Sequence, residues 1–150
     1  ILSTNAEFIF HLEGDFTFNE QIDLEGMAEL ASDPHIAQVA LRRQAWNAQE
    51  QQAGGIVELN PDAYEEGSVD STARFGVRHT YTAHRNFFTT NPSIYRRDIA
   101  ERGWPQEANS EGKFGIELFK DPHVVSTFWG GKFDPPKVHH IGDTRAGKGY

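Results

Sequence analysis

The chain has 150 residues, of which 37% are hydrophobic and 24% are charged, a composition typical of one globular domain rather than a disordered segment. Its 22 acidic and 14 basic residues give a net charge of −8, which argues against wrapping by nucleic acid because phosphate binding needs clustered lysine and arginine. The absence of cysteine excludes disulfides and thiolate metal sites. No apolar run approaches the roughly 18 residues of a membrane span and no signal peptide is recognisable, so we expect a cytoplasmic protein.

Short apolar runs, which predict strands, alternate along the chain with segments of helical periodicity. This order predicts an α/β layered domain over residues 1–150, with a mixed sheet flanked by helices. Residues 8–12 and 36–41 are short apolar runs that predict buried strands. Between them, the spacing of Leu24, Met27 and Leu30 predicts an amphipathic helix that ends at Asp33-Pro34.

The middle of the chain is more polar. Residues 42–52 form a polar segment, and Gly54-Gly55 marks a turn before a predicted short strand over residues 56–59. We expect residues 60–71 to be a loop, and residues 77–82, which alternate weakly, to form a strand.

The last third contains two helix signals. Asn91-Pro92 is a favourable start, because asparagine caps helices and proline suits the first turn, so we expect a helix from there to about Gly103. Ser110 is the expected cap of a second helix, and residues 124–129 predict a further strand.

The tripeptide Glu13-Gly14-Asp15 stands at the end of the first predicted strand. The carboxyl ends of strands are where open α/β sheets bind ligands, and carboxylate oxygens suit Mg²⁺ and Mn²⁺. Gly14 lets the backbone approach a ligand closely. By itself the tripeptide is equally compatible with a strand end that carries two solvated acids.

The run Phe-His-Leu-Glu-Gly-Asp-Phe at residues 10–16 resembles the Asp-x-Asp region of GT-A-type glycosyltransferases, in particular the inverting family-2 branch. In that family the last acid holds a divalent metal, and the metal holds the diphosphate of the donor. The resemblance implies Asp15 as a ligand of Mn²⁺ or Mg²⁺, and Glu13 as a contact to the donor sugar or ribose, or to the metal through water. The middle acid of the usual pattern is Gly14 here, which leaves one fewer negative charge.

Two further segments resemble the same family. Residues 89–97 are similar to the segment that closes over the donor sugar, which implies Asn91 as a donor-binding residue. Residues 109–111 are similar to the region that supplies the general base. The second acid of that pattern is Gly112 here, so the resemblance implies Glu111 as the base, with Glu107 as the runner-up. A helix N-terminus favours an ionised carboxylate, and Glu111 could also serve only to complement the helix dipole.

Trp104 and Trp129 lie in the half of the chain that would line an acceptor site, together with Phe128 and Phe133. Aromatic faces pack well against the C–H faces of sugars, whereas ordinary core packing is the alternative for most of these residues. Trp104, between Gly103 and Pro105, is the best candidate for acceptor binding.

The C-terminal segment contains His139-His140-Ile141-Gly142. Neighbouring residues on a strand point to opposite faces, so only one histidine should face a site. The family pattern is a histidine followed by an apolar residue and glycine, which selects His140 as the second metal ligand, the alternative being a surface histidine pair. In the glycine-spaced segment that follows, Arg145 and Lys148 are candidate contacts to the donor diphosphate, or part of a flexible basic tail.

The resemblance extends from about residue 8 to residue 150, whereas GT-A glycosyltransferases begin with a Rossmann-like half that binds the nucleotide. We therefore expect that a missing N-terminal segment or a partner chain completes the nucleotide site, or that the fold is cut down and holds the donor differently. The implied function is metal-dependent transfer of a sugar from a nucleotide-sugar donor to a hydroxyl acceptor, with inversion. The alternatives are a non-catalytic binding or structural remnant of such an enzyme, and another metal-dependent enzyme such as a hydrolase.

Overall fold

The computed structural model describes residues 5–72, 76–106 and 108–144, which form an α/β fold with a six-stranded mixed sheet and a separate two-stranded sheet. The strands are β1 (Phe8–His11), β2 (Phe16–Phe18), β3 (Ile36–Ala40), β4 (Tyr64–Asp70), β5 (Arg78–His84), β6 (Ser93–Arg96), β7 (Val125–Trp129) and β8 (Val138–His140). The helices are α1 (Leu24–Ala31), α2 (Ala48–Ala53), α3 (Ile56–Leu59), α4 (Arg97–Glu101) and α5 (Ser110–Leu118), with 3-10 turns at Pro61–Ala63 and Ile141–Thr144. Within the described residues, every helix is too short or too polar to cross a membrane.

The large sheet has the order β1-β6-β3-β7-β5-β4. Strands β3 and β7 run parallel, and the other four neighbouring pairs are antiparallel. The small sheet pairs β2 with β8, so that segments from the two ends of the described chain meet. The predicted combination of a mixed sheet with flanking helices is confirmed at this level.

The core lies on both sides of β3, whose five residues are all buried. On one side, Met27 and Leu30 of α1 pack against Val39 and against Val138 of β8. The other side is covered by residues of α4, α5 and the segment before β6: Phe88, Ile99, Phe114 and Leu118. The predicted strand at 36–41 and the predicted helix α1 are therefore confirmed, and the small sheet is anchored to the same core as α1.

The predicted helix from Asn91 to Gly103 is wrong. Residues Ser93–Arg96 form β6, between β1 and β3, and only the short α4 follows. Ile94 packs in one core cluster and its neighbour Tyr95 in another, the alternation of a strand. The Asn91 side chain donates to Leu41 O at 3.3 Å instead of capping a helix. Tertiary pairing overrides a favourable local start signal here.

Three other sequence predictions are also corrected. The expected strand at residues 56–59 is the short helix α3, in which Val57 alone is buried. The expected loop at residues 60–71 contains β4, whose polar residues reflect its place at the sheet edge. Ser110 is the first residue of α5, and Asn109 occupies the cap position with a left-handed backbone (φ 58°).

The first predicted strand exists as β1 but is not fully buried, because it lies at the other edge of the sheet. Its one neighbour in the described structure is β6, with Phe10 opposite Ile94. The strand therefore ends at the surface, and it delivers Glu13 and Asp15 to a part of the molecule that ligands can reach.

His84 at the end of β5 is a buried titratable group of the core. Its ring packs against Tyr64, Phe87 and Phe128 at centroid distances of 4.7 to 5.2 Å. Burial among these rings lowers the pKa of His84 to about 4, because the charged imidazolium would lose its hydration.

We expect His84 to make the fold acid-sensitive. The unfolded chain binds a proton at this histidine below pH 6.5, whereas the folded chain does so only near pH 4. The free energy of unfolding should therefore fall as the pH falls through this window, by up to about 3 kcal/mol. Denaturant unfolding of the protein and of His84→Phe, measured from pH 7 to 4, tests this. Equal pH slopes for the two proteins would contradict it.

Candidate functional site

The contact between Asp15 and His140 is formed by the small sheet. Antiparallel pairing places Phe16 of β2 opposite His140 of β8, and Ile141 N donates to Asp15 O at 2.8 Å. The side chains meet with Asp15 Oδ2 3.0 Å from His140 Nε2. Both are largely buried, with 18% and 12% of their side-chain surfaces exposed. A Cβ at Gly142 would lie 2.7 Å from Asp15 Oδ2, so glycine at this position keeps the space beside the pair open.

The His140 ring is held from several sides. It stacks between Phe16 and Trp46, at centroid distances of 4.6 and 4.8 Å. The Gln44 side chain donates to His140 O at 3.0 Å and accepts from His140 N at 2.9 Å. The structure thus places His140 beside Asp15, whereas the preceding residue, His139, is exposed. The role of His140 as a metal ligand stays a prediction.

We call the cavity in front of this pair the polar cavity. Its volume is about 430 Å³. It brings together five residues that the sequence singled out: Glu13, Asp15, Asn91, Glu111 and His140. The other lining residues are Phe16, Arg43, Trp46, Thr89 and Thr90. These residues come from the chain after β1, the segment before β6, the start of α5 and the end of β8, so only the folded chain unites them.

Arg43 supplies a positive charge on the wall of the polar cavity. Its Nη1 donates to Gln44 O at 2.8 Å and to Glu50 Oε2 at 3.3 Å, and its guanidinium lies over the Trp46 ring at 4.8 Å. Glu50 is itself buried and also accepts from Trp46 N at 2.7 Å. The guanidinium is therefore held in place by a buried carboxylate and an aromatic face.

Glu111 lies in the first turn of α5, where it accepts a hydrogen bond from Thr90 N to Oε1 at 2.6 Å. It lines the polar cavity and also a second cavity of about 530 Å³. Glu13 and Thr90 line both cavities as well. The two cavities are therefore neighbours, and Glu111 stands at their common wall.

We call the second space the aromatic cavity. Apolar side chains form most of its wall: Phe88, Tyr95, Ile99, Ala100, Trp104 and Phe114. The Trp104 ring lies 4.8 Å from the Phe114 ring, and its Nε1 donates to Ser110 Oγ at 2.9 Å. Trp104 is thus fixed to Ser110 at the start of α5, and Ser110 directly precedes Glu111.

The other predicted acceptor residue, Trp129, is not brought to these cavities. It lies on β7, where its ring packs against His79 at a centroid distance of 4.7 Å. The ring also lies so close to Gly26 of α1 that a Cβ added at Gly26 would be 2.9 Å from it. Phe128 is buried in the core beside Tyr64, and Phe133 is exposed elsewhere. The predicted donor contacts Arg145 and Lys148, and the runner-up base Glu107, lie outside the described residues.

The sequence did not single out Arg43, Gln44 or Trp46, because they lie in a segment that has no motif and no clear periodicity. An isolated tryptophan in an otherwise polar segment was the one available signal. Its neighbour Asn47 caps α2 by accepting from Glu50 N at 2.9 Å, which fixes Glu50 under Arg43. The segment is therefore ordered by local capping and reaches the site through long-range contacts with β8.

Asp15 and His140, the two metal ligands that the sequence predicts, are hydrogen-bonded to each other in this structure. Ligands about 2.1 Å from such a cation and at right angles to each other lie about 3 Å apart, close to the 3.0 Å between Asp15 Oδ2 and His140 Nε2. The described residues contain no group of three or more histidine, aspartate, glutamate or cysteine side chains placed to hold a metal. A cation here would take two protein ligands and fill its shell with water and substrate oxygens, as Mg²⁺ commonly does.

No protein-family model matches this chain. The searches among curated proteins and among solved structures also find no match.

We expect His140→Ala to weaken Mn²⁺ binding by at least about tenfold, because it removes one of the two predicted protein ligands. His139→Ala is the matched control and should leave the affinity unchanged, since His139 is exposed on the opposite side of the strand. Isothermal titration with MnCl₂ measures both. A larger loss of affinity in His139→Ala than in His140→Ala would mean that His139, not His140, holds the metal.

Proposed function

We propose that this chain is the metal- and acceptor-binding half of an inverting GT-A-type glycosyltransferase, which transfers a sugar from a nucleotide-sugar donor to a hydroxyl acceptor. The position of Glu111 carries this proposal. Its carboxylate stands at the common wall of the polar and aromatic cavities. Transfer of a group between two substrates needs a binding space for each, and a base where the two spaces meet.

The polar cavity is the proposed site of the donor diphosphate. Asp15 and His140 would hold Mn²⁺ or Mg²⁺ there, and the bound metal would act as a Lewis acid that stabilises the leaving diphosphate. Arg43 would add a second positive charge against the phosphates. Arginine suits this task because its planar guanidinium can make paired hydrogen bonds to phosphate oxygens.

Glu111 is the proposed general base. The acceptor hydroxyl oxygen attacks the anomeric carbon while Glu111 takes the hydroxyl proton, and the bond from the anomeric carbon to the diphosphate oxygen breaks. A single displacement of this kind inverts the anomeric configuration. The hydrogen bond from Thr90 N holds Oε1 of the carboxylate. The hydroxyl proton is therefore assigned to Oε2, the other oxygen of Glu111.

The nucleotide and ribose need further binding groups, which we place beside β1. In the described structure β1 pairs with β6 along one edge. We propose that strands of a nucleotide-binding half pair with its other edge, supplied by a preceding segment or by a partner chain. Glu13, which follows β1 and lines both cavities, would then contact the donor sugar or ribose.

We expect Glu111→Gln to lower sugar transfer by about 10²- to 10⁴-fold, because the amide cannot accept the proton. Mn²⁺-dependent binding of UDP or GDP should stay the same, since Asp15 and His140 are intact. Release of nucleoside diphosphate from a panel of nucleotide sugars with mixed alcohol acceptors measures turnover, and titration calorimetry measures binding. Glu117→Gln, an exposed glutamate on the same helix that pairs with Lys120, is the control.

Full turnover in the Glu111→Gln variant would show that Glu111 is not the general base. If Mn²⁺ promotes binding of neither nucleoside diphosphate even when the nucleotide-binding half is present, the proposed function itself fails. Hydrolysis of the donor without transfer to any alcohol would favour a metal-dependent hydrolase instead.

We expect Arg43→Lys to weaken Mn²⁺-dependent binding of UDP or GDP by about tenfold, because lysine keeps the charge but loses paired hydrogen bonding. Its ammonium can still neutralise part of the Glu50 carboxylate, so the variant should fold. The control is Arg78→Lys, at an exposed ion pair with Asp70 on the far edge of the sheet. Equal affinities for the parent protein and Arg43→Lys would remove Arg43 from the phosphate site.

A further inference from the structure

The aromatic cavity separates polar from apolar groups. Its polar residues include Glu13, Thr90 and Glu111, all of which also line the polar cavity. His11 and Ser110 add two more polar residues, and the other six lining side chains are apolar or aromatic. Among these six, Phe88, Ile99 and Phe114 are at most 5% exposed. A molecule that fills this space therefore meets hydrogen-bonding groups near Glu111 and apolar surface elsewhere.

Several polar groups of the aromatic cavity already have partners. The Ser110 hydroxyl accepts from Trp104 Nε1, and Thr90 N donates to Glu111. A sugar unit carries hydroxyl groups around its whole ring, and each one buried without a partner costs about 1–3 kcal/mol. His11 Nε2, which is buried without a hydrogen-bond partner among the described residues, can take one such hydroxyl, whereas the six apolar side chains offer little to satisfy the others. A ligand with one hydroxyl and an otherwise apolar body matches the wall better.

The size and shape of the wall favour a flat ring system. At about 530 Å³ the cavity lies within the range of pockets that bury small organic ligands. Trp104, Phe88 and Phe114 present rings at mutual centroid distances of 4.8 to 5.7 Å, in tilted and edge-to-face arrangements. An aromatic guest can stack on one of these rings and meet the edge of another.

We propose that the aromatic cavity binds a hydroxylated aromatic molecule as acceptor, with its hydroxyl at Glu111 and its ring against Trp104. Its role as acceptor rests on the proposed function, whereas the binding of the ring does not. The specificity determinant is Trp104, which lines the cavity and is tied to α5 next to the base. The acceptor class is then a phenol or aryl alcohol rather than a free saccharide.

The test uses 2-naphthol and maltotriose as probes, titrated calorimetrically into the protein without donor or metal. We expect 2-naphthol to bind and maltotriose to bind at least about tenfold more weakly. Trp104→Ala should weaken 2-naphthol binding by about tenfold, and Trp104→Phe should restore most of it. Phe133→Ala removes an aromatic side chain that is 67% exposed outside the cavity, and should leave the affinity unchanged.

Tighter binding of maltotriose than of 2-naphthol would overturn the proposal. So would an unchanged affinity in Trp104→Ala, or an equal loss in Phe133→Ala, which would indicate non-specific adsorption. Thermal unfolding of each variant separates loss of the cavity from loss of the fold, and rescue by Trp104→Phe gives a second check. Metal-dependent nucleotide binding is measured separately, so a failure of the aromatic acceptor and a failure of the glycosyltransferase assignment give different results.

Discussion

The antiparallel pairing of β2 with β8 is the constraint on which the candidate site depends. It joins three residues on each strand and brings together Asp15 and His140, which are 125 positions apart. Because side chains alternate along a strand, a slip of one residue would turn His140 away from Asp15 and put His139 in its place. Val138 is buried in the same core cluster as Met27 and Leu30 of α1. The hydrophobic core therefore fixes the register of the small sheet, and through it the geometry of the site.

A second feature of the site is the division of its space by Glu111. The helix α5 buries Phe114 and Leu118 against the sheet, and this packing sets the position of its first turn. The backbone N–H of Thr90 then holds one carboxylate oxygen. Asp15 and Arg43 line a polar space, Trp104 lines a mostly apolar one, and the carboxylate stands at the wall that the two share. The proposed chemistry follows from this separation, because each substrate would meet the base from its own side.

The parts of the fold that the sequence predicted well are those in which local pattern and tertiary environment agree. In α1, Met27 and Leu30 face the core as their spacing predicts, whereas Leu24 in the first turn is exposed. Asp23 caps the first turn by accepting from Gly26 N, and Asp33-Pro34 follows the helix. Buried β3 was readable from its apolar residues, which are interrupted only by Gln38, whose side chain donates to Thr89 O and Ser93 Oγ. The predictions failed where the environment overrode the pattern. Residues 93–96 follow a favourable helix start but complete the sheet between two strands, and β4 lacks an apolar period because it lies at an edge.

The sequence by itself determined that Glu13 and Asp15 follow an apolar strand, that Glu111 lies in the first turn of a helix, and that His140 belongs to a short motif with Gly142. These are local relations, fixed by capping, spacing and turn chemistry over a few residues. Only the tertiary structure decided that these side chains share one cavity, that Arg43 and Trp46 join them, and that Trp104 lines a cavity while Trp129 packs against α1. Those outcomes depend on contacts between residues tens of positions apart, whose formation is governed by burial and strand register rather than by neighbouring residues.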